Sequence, residues 1–299
     1  MTDNRQYHVD GELVPATAAT VRVDDRGFRY GDAAFETMRA YGGHVFEWDA
    51  HADRLAKTCA VLDLDHGIAR EDLRERVDET LQANDIEDAY VRLSITRGVQ
   101  PGTLTPAHTI DPTVVVIVRA LPRGGVEGEA VWDEPAIVHT VETRRIADDA
   151  IPAAAKTHNY LNGILARLEL QESSKDGDRP ADEAIMCDRD GFVAEGATSN
   201  LFFVTDDTLY TPTTDGPVLP GITRHVVCEL AATLDLPVET GRYDPQSVRA
   251  ADEAFLTNTT WEIRPIESVD ATSIGGGPVT TQLQREFDRL VERRCYRRQ

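Results

Sequence analysis

Lysine is almost missing from this chain. Only three lysines stand among the 31 basic residues of its 299, so arginine carries nearly all the positive charge. Acid outweighs base, and the net charge of −21 at pH 7 argues against nucleic acid or an anionic membrane as partner, because phosphates are repelled. The acid is spread along the chain rather than gathered in a tail. With so little lysine it reads as the solvated surface of a halophile's protein, unstable at low salt where carboxylates repel one another unscreened. The cysteines, Cys59, Cys187, Cys228 and Cys295, form no CxxC pair and no CxxC…HxxxH pattern. That leaves no zinc framework and predicts free thiols in a reducing cytosol. No apolar run reaches membrane-spanning length, and the polar start Met-Thr-Asp-Asn-Arg-Gln shows no signal peptide. The phosphate-loop patterns GxGxxG and GxxxxGK are also missing, which counts against NAD and ATP sites.

What is present reads as two mixed α/β domains: residues 1–121, a connection at 122–128 marked by Pro122-Arg-Gly-Gly, and residues 129–299. In the first, Tyr7 to Val14 is a strand, a turn at Asp10-Gly11 and a strand. Phe35 to Tyr41 is a strand that turns at Gly42-Gly43 and returns over His44 to Trp48. A helix follows from about Asp49, its plausible N-cap, with Leu55, Thr58, Cys59 and Leu62 on one face. Residues 70–83 repeat the helical period. Tyr90 to Thr96 and Thr113 to Val118 are strands, the second apolar enough to be buried on both faces. In the second domain, strands are expected near 129–142. A helix after Lys156 is expected to bury Leu161, Ile164, Leu165 and Leu168. Glu183 to Cys187, Phe192 to Glu195, Asn200 to Val204 and Phe255 to Asn258 are β segments, and helices run from Ile222 to Leu234 and from about Pro278.

Four groups can carry chemistry. Lys156 lies in Ile151-Pro-Ala-Ala-Ala-Lys-Thr-His-Asn-Tyr-Leu161. Taken alone it is a solvated surface lysine; beside the other groups it is a primary amine that arginine cannot replace in condensing with an aldehyde. Glu195 ends an apolar strand, either as an edge acid facing water or as a carboxylate that keeps a cofactor's pyridine nitrogen protonated. Leu219-Pro-Gly-Ile-Thr-Arg224 opens a helix whose unpaired amides and threonine hydroxyl suit an anion, though it also fits an ordinary Pro-Gly turn. Thr257-Asn-Thr-Thr-Trp261 is a polar run after an apolar strand, able to bind a phosphate or carboxylate or to form a surface loop. Arg54 sits on a helix surface unless it turns inward. An amine, a ring-nitrogen partner and two phosphate cradles together match what pyridoxal 5′-phosphate demands.

These motifs, in this order, resemble the class IV aminotransferases, the fold-type IV pyridoxal-phosphate enzymes. The resemblance runs from Asp25-Arg-Gly-Phe-Arg-Tyr-Gly-Asp32 to Glu262-Ile-Arg-Pro-Ile266. It includes Lys156-Thr-His-Asn-Tyr-Leu, Glu195-Gly…Ser199-Asn-Leu-Phe and Leu219-Pro-Gly-Ile-Thr-Arg. It implies a smaller N-terminal α/β domain, a larger barrel-like C-terminal one, pyridoxal 5′-phosphate as cofactor, no metal, and a cytoplasmic homodimer. It also implies roles. Lys156 condenses with the cofactor aldehyde and later moves the proton; Glu195 pairs with the pyridine nitrogen; Tyr160 binds the phenolic oxygen. Arg54, Ile222, Thr223 and Thr259 hold the phosphate, and Leu219 packs on the ring. Tyr30, Phe35, Arg92, Asn258 and Thr260 line the substrate side.

Within the family, branched-chain aminotransferases carry Gly-Thr-Ala-Ala where Asn258-Thr-Thr-Trp261 stands, a proline where Leu93 stands, and a glycine at the place of Thr37. D-amino acid aminotransferases carry a Pro-Arg-x-His carboxylate trap that Thr96-Arg-Gly-Val-Gln-Pro-Gly102 lacks. Phe35-Glu-Thr-Met-Arg, Val91-Arg-Leu-Ser-Ile, Thr240-Gly-Arg-Tyr243, Ala251-Asp-Glu-Ala-Phe and above all Asn258 resemble 4-amino-4-deoxychorismate lyase. The expectation is therefore that lyase, releasing pyruvate and 4-aminobenzoate. The alternative is a transaminase of branched-chain or D-amino acids.

Overall fold

The computed structural model describes residues 4–123, 132–173 and 179–297. Two compact units divide the chain: Met1–Pro122 with Ala155–Asn159 and Val291–Gln299, and Arg123–Ala154 with Tyr160–Leu290. Most of the connection expected at 122–128, and the start of the strand region expected from 129, lie outside the described residues.

The first unit is an antiparallel sheet covered by helices. Its elements are β1 (Gln6–Val9), β2 (Glu12–Pro15), α1 (Arg26–Tyr30), β3 (Ala33–Tyr41), β4 (His44–Val45), α2 (Trp48–Val61), α3 (Arg70–Asn84), β5 (Ala89–Thr96) and β6 (Val114–Ala120). The strands run in the order β2-β1-β6-β5-β3-β4. Alternation along β3 sends Ala34, Met38 and Ala40 to the helix-covered face, where they meet Leu55 and Cys59 of α2 and Leu73, Val77 and Leu81 of α3. The helix expected from Asp49 starts at Trp48. Its N-cap is Glu47, in left-handed backbone and without a side-chain capping bond, so Asp49 instead sits in the first turn. Strand β6 is not buried on both faces: Val114, Val116 and Val118 are, while Val115 and Ile117 are half-buried, because only one side of the sheet carries helices. Segment 155–159 runs beside the start of β3. Thr157 bridges to Ala34, Phe35 N–H donates to the Lys156 carbonyl at 3.0 Å, and His158 N–H donates to the Ala33 carbonyl at 3.0 Å. A π-helical turn, Glu292–Tyr296, returns to this unit and donates Tyr296 Oη–H to Asp88 at 2.6 Å.

The second unit is built on one curled sheet. Its elements are β7 (Ala136–Thr140), α4 (Leu161–Ser173), β8 (Glu183–Cys187), β9 (Val193–Gly196), β10 (Asn200–Thr205), β11 (Thr208–Pro212), α5 (Ile222–Thr233), β12 (Val238–Gly241), α6 (Pro245–Arg249), β13 (Glu253–Asn258), β14 (Glu262–Val269), β15 (Thr272–Ser273) and α7 (Pro278–Val291). The order is β12-β11-β10-β13-β14-β7-β8-β9, with β15 on β14. The sheet bends until β9, at one end of that order, touches β10 and β11 near the other. Strand β14 has no counterpart among the expected strands. It holds Pro265, which lacks the amide a ladder uses, yet it pairs with β13 and β7.

The stripe expected to bury α4 faces the other way. Leu161, Ile164, Leu165 and Leu168 are about half exposed or more, Leu161 at 63%. The inward face is instead Gly163, Ala166 and Leu170. A side chain at Gly163 would meet the Ala197 carbonyl at 3.1 Å, so close approach selects small residues there. The four large apolar residues are left uncovered in this chain.

Candidate active site

In the first unit, alternation along β3 and β5 puts Phe35, Arg92 and Ser94 on the face away from the helices. Arg92 Cζ stands 3.8 Å and Lys156 Nζ 4.6 Å from the centre of the Phe35 ring. His158 packs edge-on against the same ring at 5.5 Å and shares a 3.2 Å hydrogen bond with Ser94 Oγ. Burial, then the nearby Arg92, pushes the His158 imidazole down to about 4, against the pull of Asp25. Thus Lys156, Phe35 and Arg92, three of the expected residues, meet here.

Arg54 turns inward. Its guanidinium grips Glu36 with Nε–H on Oε1 at 2.8 Å and Nη2–H on Oε2 at 2.6 Å, while His51 Nδ1 reaches the same Oε2 at 2.8 Å. Burial alone would raise the Glu36 carboxyl, but Arg54 and His51 together hold it down to about 2. One turn on, Thr58 Oγ1–H donates to the Arg54 carbonyl and its oxygen accepts Lys156 N–H at 3.0 Å, so α2 positions both Arg54 and the lysine backbone.

Tyr30 closes α1, with Arg26 and Arg29 each about 5 Å from its ring centre (5.0 and 5.1 Å). Asp25 caps this helix through Gly27 N–H and binds Thr96, and Asp32 lies between Arg26 and Arg97. Burial disfavours the Asp32 carboxylate, yet the two arginines keep it below the usual range. Arg39, whose direction the sequence leaves open, is buried, donates to the Pro122 carbonyl and lies over Tyr41.

In the second unit, Glu195 is buried near the end of β9 and fully engaged. Arg145 Nε–H donates to Oε1 at 2.7 Å and Leu219 N–H to Oε2 at 2.9 Å, with Asn200 Nδ2–H at 3.4 Å. Asn200 also holds the Leu219 carbonyl at 3.0 Å, tying the strand to the loop before α5. Gly221 is the α5 N-cap and supplies no side-chain cap; a Cβ there would strike Asn200 Oδ1 at 2.0 Å. The first-turn amides of Ile222 and Thr223 therefore have no capping side chain from Gly221. Thr223 is buried, and Tyr160 is half-buried just ahead of α4. Glu183, wholly buried, accepts Thr198 N–H at 3.1 Å and Ser199 Oγ–H at 3.1 Å, which shapes the turn after Glu195.

The 257–261 run is ordered by Asn258. Its Oδ1 accepts Thr260 N–H at 2.9 Å, Thr260 Oγ1–H at 3.0 Å and Trp261 N–H at 2.7 Å, and its Nδ2 donates to the Thr198 carbonyl at 3.3 Å. Asn258 and Thr260 thus lock a turn, with Thr259 half-buried between them. Trp261 packs under Arg264, and its carbonyl accepts Trp132 Nε1–H at 3.2 Å. Thr257 Oγ1 is buried without a hydrogen-bond partner among the described residues. An unspent hydroxyl donor and uncapped helix amides fit an anionic phosphate, and a buried carboxylate with a separate primary amine fits the rest of pyridoxal 5′-phosphate.

Sequence reasoning missed Arg145, His51 and His158. His51 carries a signal: it stands one helical turn from Arg54, on the same face as Leu55 and Thr58. Arg145 carries none, since it lies outside any strand or helix and fifty positions before its partner.

Comparison with known proteins identifies the family. Residues 33–269 match the family profile described as amino-transferase class IV. A putative branched-chain-amino-acid aminotransferase of Methanocaldococcus jannaschii is 36% identical over 285 residues, covering 94% of this chain and 95% of that protein. The aminodeoxychorismate lyase of Bacillus subtilis is 32% identical over 290 residues, covering 95% and 94%. The branched-chain amino acid aminotransferase of T.th., solved with pyridoxamine 5′-phosphate, superimposes with a TM-score of 0.88 at 29% identity, covering 100% of this chain and 96% of that one. The chain belongs to the class IV aminotransferases. It has their fold-type IV architecture, and it is a pyridoxal 5′-phosphate enzyme.

Proposed function

We propose that this protein is an amino acid transaminase that takes a branched-chain-type substrate. The observation that carries this reading is the engagement of Asn258. That residue weighs most for a lyase in the sequence, but its oxygen is spent on Thr260 and Trp261 and its amide on Thr198, so it serves the turn. The names of the relatives support the same choice, since the branched-chain aminotransferases among them match this chain at least as well as the lyase does.

When bound, pyridoxal 5′-phosphate supplies an aldehyde for the substrate amine and a ring that takes up the electron pair left by the departing α-proton. Lys156 removes that proton and returns it, from a backbone held by Phe35 and Thr58. Glu195, fixed by Arg145 and the Leu219 amide, serves the pyridine nitrogen. Arg54, Thr223, Thr259 and the α5 amides serve the phosphate; Tyr160 the phenolic oxygen; Leu219 the ring face. Phe35 and Tyr30 give the substrate side chain an apolar wall, and Arg92 offers a cation beside Lys156 for a carboxylate. A cytoplasmic homodimer is part of this reading, supported by the uncovered Leu161–Leu168 stripe of α4.

The test is a product analysis in molar KCl. Leucine with 2-oxoglutarate should yield glutamate and the leucine-derived keto acid. Release of 4-aminobenzoate and pyruvate from aminodeoxychorismate without a keto-acid acceptor, with leucine untouched, would give the case to the lyase. D-Alanine turnover with leucine untouched would give it to a D-amino acid transaminase.

A further inference from the structure

A second cavity lies on the helix-covered face of the first unit, on the side of β3 opposite Phe35. It measures about 340 Å³, and its walls are mainly Met38, Leu55, Leu73, Leu93 and Trp48. Two buried polar side chains, His51 and Glu36, interrupt the apolar lining, and His66, Asp53 and Arg70 complete the wall. Both Glu36 oxygens are already spent on Arg54 and His51. The carboxylate is ionised by Arg54, so His51 Nδ1 carries the proton and donates it. Burial, reinforced by Arg54 and Lys156, lowers the basicity of the ring against the pull of Glu36, so the imidazole is neutral. The other nitrogen, Nε2, is then a bare acceptor, and it has no hydrogen-bond partner among the described residues. Ala52 and the Arg70–Asp53 ion pair, whose atoms are 2.6 Å apart, also line it.

We propose that this cavity is a binding site for a small, mostly apolar ring compound carrying a single N–H or O–H donor, which bonds His51 Nε2. The size sets the ligand: an apolar cavity of roughly 150 Å³ holds benzene, and ligand pockets begin at about 300 Å³, so a fused two-ring molecule fits. Arg70 and Asp53 in the lining are spent on each other at 2.6 Å, so an ion entering the cavity would lose its hydration without a partner, which disfavours a charged ligand. The acceptor at His51 selects a donor. The Phe35 and Arg92 side chains beside Lys156 lie on the other face of the sheet, whereas the cavity reaches the lysine backbone only through α2: it lies one carboxylate away from Arg54, and Thr58 one turn further on accepts Lys156 N–H.

Indole is the probe, and benzofuran the control of equal size without the N–H. Calorimetry on the holoenzyme in molar KCl should give saturable binding of one indole per chain. Benzofuran should bind about tenfold more weakly, the worth of one hydrogen bond. Ala52→Trp should fill the cavity and abolish binding while leaving turnover intact. If that variant does not fold, Ile68→Trp fills it from another wall with the same expectation. Indole that fails to saturate at one per chain, benzofuran that binds as well as indole, or a folded filled variant that still binds would each overturn the site. Because binding is read as heat, the outcome does not depend on which substrate the enzyme takes.

Discussion

Arg145 Nε–H donates to Glu195 Oε1 at 2.7 Å, and this pair joins the loop after β7 to the end of β9. Glu195 is almost wholly buried and Arg145 one-fifth exposed, so the pair is only partly screened. Arg145→Met takes from a buried carboxylate its guanidinium partner, while the Leu219 amide and Asn200 stay in place. Removing one partner of such a pair costs about 2–4 kcal/mol. The expected result is a lower unfolding midpoint together with weaker retention of pyridoxal 5′-phosphate on dialysis, both partly restored by Arg145→Lys. Unchanged stability and cofactor retention would show that the Leu219 amide suffices to hold Glu195.

Lys156→Ala should silence the enzyme without unfolding it. The segment around it is fixed by main-chain bonds, Phe35 N–H to the Lys156 carbonyl and Lys156 N–H to Thr58, which survive loss of the side chain. Turnover should fall by about 10⁴-fold or more, since the amine acts both as attachment point and as proton carrier. The circular dichroism should be unchanged while the long-wavelength cofactor absorbance disappears. Retained absorbance would exclude the assigned role.

The sequence was most legible where local pattern and tertiary packing agree. The hairpin at Asp10-Gly11, strand β3, both helices after it and the strands flanking Glu195 are all anticipated from period and turn chemistry. It misled where two opposite faces of one helix were both apolar. In α4 the four large residues outweigh Gly163, Ala166 and Leu170 in any count of hydrophobicity, yet only small residues allow the helix to reach the Ala197 carbonyl. Strand β14 was invisible because Pro265 argues against a central strand. Candidate site residues with a local motif, such as Lys156 and Glu195, could be named. Their supports, Arg145 and Glu36 with His51, could not, because such contacts depend on which strands become neighbours.

Stability should rise with pH between about 4 and 6.5. His158 is neutral in the folded protein, with its basicity lowered to about 4 from 6.5, first by burial and then by Arg92. In that window the unfolded chain binds the proton and the folded one does not, so acid favours unfolding. The full shift corresponds to up to about 3 kcal/mol, reduced by the ring's partial exposure. Glu36 adds a second loss at lower pH. Its ionised form is favoured when folded, so its contribution is present above the usual carboxylate range and disappears as pH falls toward about 2. Denaturant midpoints from pH 7.5 to 4 should show the first slope, and His158→Gln should reduce it, leaving the part carried by His8, His51 and His66, whose basicity burial also lowers. A variant with the parent's slope would place the titration elsewhere.

The exposed stripe on α4 should be an interface between two copies of the chain. Leu161, Ile164, Leu165 and Leu168 are all exposed on one helical face, which a lone soluble chain would present to water. Leu165→Asp places a charge in the middle of that patch and should weaken the dimer by about 100-fold or more. Light scattering after gel filtration should give a dimer for the parent and a monomer for the variant. A parent that is monomeric at every concentration, or a variant that stays dimeric, would remove α4 from the interface.

Salt should stabilise the protein, and the balance of two opposing effects explains why. Exposed ion pairs such as Arg179 with Glu267 and Arg70 with Asp53 are weakened by salt, but pairs of this kind contribute little. Against them stands a surplus of 21 negative charges spread over the whole chain. Its self-repulsion acts over a Debye length of about 10 Å at 0.1 M salt and only about 3 Å at 1 M. Repulsion therefore outweighs the lost pairs, and raising KCl from 0.1 to 2 M should lift the melting temperature by roughly 5 °C or more, as expected for about 2 kcal/mol in a chain of this size. Potassium chloride is the appropriate salt, because sulfate would strengthen apolar burial in any protein and blur the cause. A melting temperature that is flat or falling across that range would mean that the acidic surface is paired well enough at low ionic strength, and that the lysine-poor composition has another origin.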